Sequence, residues 1–218
     1  MTFSPRLDAL PSPQRALWPE LAAVPRRYVL YGGTALALRL AHRPSVDFDF
    51  FAHDHLDHRE LETAVPFVRD AAVLDQGPDT RTILVTSTGG NVKISFFGGI
   101  AFGRVGDPEV TDDEVLRAAS LLDLAGTKVK ALLQRVEAKD YRDVAALLEH
   151  GVKLEDILGS ARALFGQTFN PLIAQKTLCY FKGGDLDLLA SDVRSRLLAA
   201  AGHDVVPSTL SLRSPRLD

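Results

Sequence analysis

At 218 residues, with 46% hydrophobic and 24% charged content, the chain has material for a sizeable core and falls between one large domain and two small ones. A formal net charge of -3 excludes a protein that holds nucleic acid through global basicity, so any nucleic-acid partner must be gripped locally. The single cysteine, Cys179, excludes an intrachain disulfide and fits a reducing compartment. No apolar run approaches the roughly 20 residues of a membrane helix, and the opening MTFSPRLDAL lacks the basic segment and apolar core of a secretion signal. The cytoplasm is the expected location, with no membrane partner.

In chain order, YVLYG reads as a short apolar strand ended by Gly32 and Gly33, and Thr34 is placed to cap the helix TALALRLAH. Pro44 and Ser45 break that helix. The run VDFDFFA then alternates with period two, so Val46, Phe48 and Phe50 share one face and Asp47, Asp49 and Phe51 the other. A helix is expected over HRELETAVPFVRDAA, followed by two strands, TRTILVTS and NVKISFF, around a Thr88-Gly89-Gly90 hairpin turn. Beyond Val115 the period becomes helical: LLDLAGTKVKALLQR behind a Ser120/Asp123 capping box, KDYRDVAALLEH closing at Gly151, then LEDILGSARALFG, NPLIAQKTLCYF and SDVRSRLLAAAG. Strands first and helices after argue for an α+β fold, a small mixed sheet flanked by helices and followed by a helical C-terminal part. The expected division is a core over residues 1–118, a helical domain over 119–206 and a frayed polar tail over 207–218.

Two aspartates two apart on a strand point the same way and repel unless one takes a proton or both serve a cation. Beside a turn that can bind phosphate, magnesium suits them, being a hard ion that takes oxygen ligands and keeps waters and substrate phosphates. Gly32 and Gly33 let a phosphate approach the backbone, the following helix offers unpaired N–H groups, and Thr34 could add a hydroxyl. Neither signal is specific by itself: a glycine pair before a helix is more often a plain turn, and D-x-D more often a solvated strand face. Their conjunction across one helix is what brings a triphosphate and its metal to one spot.

The arrangement of Gly32, Gly33, Asp47 and Asp49 resembles the signature of the polymerase-β-like nucleotidyltransferase superfamily. In order, GGTALALRL, HRPSVDFDFF, VKISFF, DLAGTKVKALLQR, AKDYRDVAALLE and LCYF resemble successive blocks of the AbiEii/AbiGii toxin family of nucleotidyltransferases, over about Tyr28 to Phe181. The resemblance implies a nucleotidyltransferase fold and a magnesium-dependent enzyme that transfers a nucleoside monophosphate from a nucleoside triphosphate to an acceptor, with tRNA the expected acceptor. It also implies the toxin of a type IV-like toxin-antitoxin system, partnered by a cognate antitoxin. Alternatives are a nucleotidyltransferase acting on a small molecule or a protein hydroxyl, or a silent nucleotide-binding module.

The same resemblance points to Asp47 and Asp49 as metal ligands, to Gly32, Gly33, Thr34, Arg43 and Lys128 around the nucleotide, and to Lys128 and Asp140 as catalytic. Lys128, Ala131 and Arg135 share a helix face, which would let a cationic pair reach a triphosphate, while Asp143 reads as a surface partner of Lys139 four residues before it. Many nucleotidyltransferases carry a third carboxylate on a later strand, and here NVKISFF offers Ser95, a poor base, with Lys93 on the same face. Asp140, a substrate phosphate or solvent is left to take the acceptor's proton. The cluster His53, Asp54, His55, Asp57 and His58 reads as a polar rim rather than a zinc site, having no metal-ligand spacing. Arg26, Arg27, Arg39, Arg43, Arg135, Lys139 and Arg142 are candidates for a local RNA-facing patch.

Overall fold

The computed structural model describes all residues 1–218 and divides into two compact units, residues 1–120 with 214–218, and residues 121–213. The first contains β1 (Thr2–Phe3), α1 (Ser12–Leu17), β2 (Val29–Tyr31), α2 (Gly32–Leu40), β3 (Asp47–Phe51), α3 (His58–Ala64), α4 (Pro66–Asp70), β4 (Ala72–Gly77), β5 (Thr80–Ser87), β6 (Gly90–Phe97), β7 (Glu109–Thr111) and β8 (Arg117–Ala118). All eight strands join one mixed sheet in the order β1-β7-β8-β2-β3-β6-β5-β4. The α+β class is therefore as expected.

The alternation in VDFDFFA sets the orientation of the central strand. Phe48 and Phe50 are fully buried, and Phe50 stacks on Phe96 of β6 with ring centroids 5.4 Å apart. Burying each ring contributes about 1.5–3 kcal/mol. A one-residue slip of β3 would expose both rings and bury both aspartates, so the hydrophobic pattern holds the acids on the open face. The expected hairpin also forms, with Ser87 opposite Gly90 and Gly89 at φ +88, a conformation glycine adopts without strain.

Two local expectations are corrected. The helix read over HRELETAVPFVRDAA is two short helices, because Pro66 excludes its preceding residue from the helical region and Val65 sits extended at φ -116, ψ 97; the last alanine of that run already belongs to β4. The tail is not frayed either. Ser208 donates to Asp156 at 2.6 Å, Leu217 is fully buried, and Arg216 pairs with Asp54 at 2.8 Å. Residues 214–218 belong to the first unit and 207–213 to the second, whose start lies at Leu121 rather than 119.

The second unit is helical: α5 (Leu121–Ala131), α6 (Ala138–Glu149), α7 (Leu154–Phe165), α8 (Pro171–Leu178) and α9 (Ser191–Ala201). α5 packs closely on α7 because Gly126 has no side chain; a Cβ there would lie 2.6 Å from Ser160 Oγ. Asn170 caps α8 by accepting from the backbone N–H groups of Leu172 and Ile173. No helix of the chain is long and apolar enough to cross a membrane.

Candidate active site

β2 runs directly into α2 at Gly32, whose φ of +74 turns the chain from strand to helix without a spacer. The helix starts two residues before Thr34, with Tyr31 at the N-cap position and no side chain capping it. Its first N–H groups are left without an intrahelical partner, and they carry the positive end of the helix dipole. Thr34 is buried inside the helix, and its hydroxyl donates to the carbonyl of Asp47 and lies 2.9 Å from Ser45 Oγ. That bracket fixes α2 against the entry to β3, and it engages the hydroxyl expected to meet a phosphate.

β2 and β3 are antiparallel, with Tyr31 opposite Asp49, so the glycine turn and the acids share one end of the strand pair. A Cβ built on Gly32 would meet Asp49 Oδ2 at 2.9 Å, and one on Gly33 would meet Arg43 Nη2 at 2.6 Å and Ser45 Oγ at 2.9 Å. Glycine at 32 thus leaves room for a carboxylate, and glycine at 33 leaves room for a guanidinium. Gly32, Gly33, Arg43, Asp47 and Asp49 come together as the sequence leads one to expect, and Ser45 joins them, a residue the motif reading passed over as a helix breaker. The Asp47 and Asp49 side chains leave the same face of β3 and are only partly buried, which fits a hard divalent cation that retains waters. Gly32→Ala should cost about 1–2 kcal/mol through its left-handed backbone and displace the Asp49 carboxylate. Urea unfolding together with loss of nucleotide transfer would check both parts.

β3 and β6 are parallel, and their register sets Asp47 beside Lys93 and Asp49 beside Ser95. Lys93 Nζ lies 3.1 Å from Asp47 Oδ2, so Asp47 has a cationic partner supplied by the neighbouring strand. Ser95 stands where a third carboxylate was looked for; its Oγ is 3.2 Å from Thr82 Oγ1, and it is nearly buried. No cluster of three or more His, Cys, Asp or Glu side chains suited to a metal occurs in the chain.

The second unit gathers the other predicted residues around one another. Lys128 of α5 is 5% exposed and lies 3.0 Å from Asp140 Oδ1 and 2.7 Å from Asp143 Oδ2 on α6. Arg135, just past the end of α5, grips Asp140 through two nitrogens at 2.7 and 3.1 Å. Two corrections follow. Asp143 pairs with Lys128 rather than with Lys139, which instead pairs with Glu137 at 2.7 Å. Lys128 and Arg135 do converge, but on Asp140. Burial alone would raise the Asp140 pKa; the hydrogen bonds and charges of Arg135 and Lys128 outweigh it and hold the carboxyl below its ordinary value. A buried carboxylate held ionised this way is a weak proton acceptor, poorly matched to the general-base role expected of it.

The remaining candidates have structural work. Asp57 caps α3 by accepting from Arg59 and Glu60, His55 Nδ1 lies 2.9 Å from Asp79, and Asp54 holds Arg216. Three side chains of the histidine loop are thus engaged in a helix cap and ion pairs. Of the basic residues considered for RNA, Arg39 is tied to Glu109 and to the carbonyl of Ala119, Arg27 to Glu60, and Arg142 to the carbonyl of Leu188.

These features agree with what the chain resembles in full. The family described as "Nucleotidyl transferase AbiEii toxin, Type IV TA system" matches residues 16–202. The chain belongs to that family. It is 30% identical over 158 residues to an uncharacterized protein of Aquifex aeolicus (strain VF5), covering 71% of this chain and 74% of that one. The crystal structure of an H. pylori protein assigned as a nucleotidyltransferase superposes with a TM-score of 0.58 at 18% identity, over 87% of this chain and 90% of that chain, which establishes a shared fold. The AbiEii chain is thus a nucleotidyltransferase of a toxin-antitoxin family, with a nucleotide as substrate and an antitoxin as partner.

Proposed function

We propose that this AbiEii protein is a magnesium-dependent enzyme that moves a nucleoside monophosphate from a nucleoside triphosphate onto RNA, with tRNA as the acceptor, in the cytoplasm. The observation that carries the reading is the placement of Asp47 and Asp49 on one face of β3 beside Gly32, at the uncapped start of α2. The RNA acceptor rests on the family resemblance alone.

In this reading Asp47 and Asp49 would hold magnesium, which would supply positive charge for the displacement at the α-phosphorus. The N–H groups at the start of α2 donate to the triphosphate, and Arg43, beside Gly33, adds a cation with planar donors for phosphate oxygens. The acceptor hydroxyl oxygen bonds to the α-phosphorus as the bond to the β-phosphate oxygen breaks and pyrophosphate leaves. The hydroxyl proton passes to solvent or a substrate phosphate oxygen, since Ser95 and the ion-paired Asp140 both make poor bases. Thr34 braces the turn, and Lys128 with Asp140 and Asp143 joins α5 to α6. Most of the rate enhancement is then positioning and electrostatics.

The test is to incubate the protein with total RNA, magnesium and each α-labelled nucleoside triphosphate in turn. Label on tRNA-sized RNA, lost on chelation, is the expected result. Label appearing only on protein or small molecules would remove RNA as acceptor, and transfer that survives chelation would remove magnesium.

A further inference from the structure

Lys93 is a cation that the structure seats on a proposed metal ligand, Asp47. The β3/β6 register puts its side chain on the face that presents Asp47 and Asp49, and its ammonium is 3.1 Å from Asp47 Oδ2. Both partners are substantially open to water, with side-chain exposures of 42% for Lys93 and 36% for Asp47, unlike the sealed Lys128 cluster. A pair this exposed adds little to stability and breaks at little cost. The lysine stem has four rotatable carbons, so the ammonium can swing by several ångströms without backbone movement.

We propose that Lys93 is an exchangeable counter-ion: its ammonium and a divalent cation compete for the Asp47 carboxylate, and the displaced ammonium pairs with the phosphates of the incoming nucleotide. The proposal deepens the nucleotidyltransferase reading and rests on it. Two carboxylates on one strand face repel, and the Lys93 ammonium offsets the charge of Asp47. A divalent ion arriving alone must evict that ammonium into water. Arriving with a triphosphate, the same ion evicts it toward four negative charges lying close by. Metal and nucleotide therefore favour each other's binding through Lys93, a coupling that holds in both directions. The site discriminates against free metal and fills with the metal–nucleotide complex.

The experiment compares wild type, Lys93→Met and Lys93→Arg, using calorimetry with Mn2+ alone, with a non-hydrolysable nucleoside triphosphate analogue alone under chelation, and with the analogue at saturating Mn2+. Lys93→Met should bind Mn2+ alone roughly 10-fold more tightly, bind the analogue at saturating Mn2+ more weakly, and show a roughly 10-fold smaller gain in analogue affinity on adding Mn2+. Lys93→Arg, which keeps the charge, should stay near wild type and guards against a folding artefact. A stationary lysine acting at a distance would shift the separate affinities but leave that gain unchanged, and this result overturns the exchange. A Lys93→Met protein identical to wild type overturns it as well, while leaving the metal reading intact. Should wild type itself bind no Mn2+ with or without analogue, the metal reading of Asp47 and Asp49 falls, and the exchange falls with it.

Discussion

Asp49→Asn is expected to lower nucleotide transfer by roughly 10^2–10^3-fold or more, the scale on which one electrostatic contact to a transition state is felt. The substitution keeps the shape of the side chain and removes its charge. Asp49 Oδ2 occupies the space that glycine at 32 leaves beside the turn, so an amide of the same size fits without moving β3. Because that side chain lies on the open face of the strand, stability should change by no more than about 0.5 kcal/mol. Incorporation from α-labelled triphosphate, measured beside urea unfolding, separates lost chemistry from lost fold. Wild-type transfer by Asp49→Asn would sink the metal assignment. Relief of growth inhibition in cells expressing the variant is the matching expectation for the toxin.

What could be read in the sequence was local. Period two in residues 46–51 and the glycines at 89 and 90 were enough for β3 and the hairpin, because strand alternation and positive-φ turns leave marks within a few residues. β7 and β8, three and two residues long, are too short to show a period, and they form through pairing with distant partners. The Lys93–Asp47 contact joins residues 46 positions apart and exists only once the parallel register of β3 and β6 is known. Burial of Lys128 escaped for a related reason. A helix-face argument shows which residues travel together, not which face another helix covers. The tail misled by composition: PSTLSLRSPRLD is polar, yet Leu217 is buried and Ser214 pairs with Arg104. The glycine turn with the D-x-D strand was the most legible part of the site, since both halves lie within 18 residues.

Lys128→Met should destabilise the helical unit by about 3–5 kcal/mol, the usual cost of removing one partner from a buried ion pair. Without that ammonium, Asp140 and Asp143 lie three residues apart on α6, both fully buried, with the charge they shared on α5 removed and Arg135 still on Asp140. Replacing a charge and its partner together by apolar groups is far less costly than removing one, so Lys128→Met with Asp143→Leu should regain part of the loss. The pH dependence has a definite sign. Asp140 has a folded pKa below its ordinary value, so its contribution is fully present above the unfolded carboxylate pKa near 4 and fades as pH falls through the lowered folded value. Wild type should therefore lose stability on acidification below about pH 4, where the Asp140 pairing is protonated away. Melting curves over that range, with nucleotide affinity measured at neutral pH, decide between the two roles open to this lysine. A variant that melts like wild type but binds triphosphate weakly would return Lys128 to the nucleotide and overturn its assignment as the pin between α5 and α6.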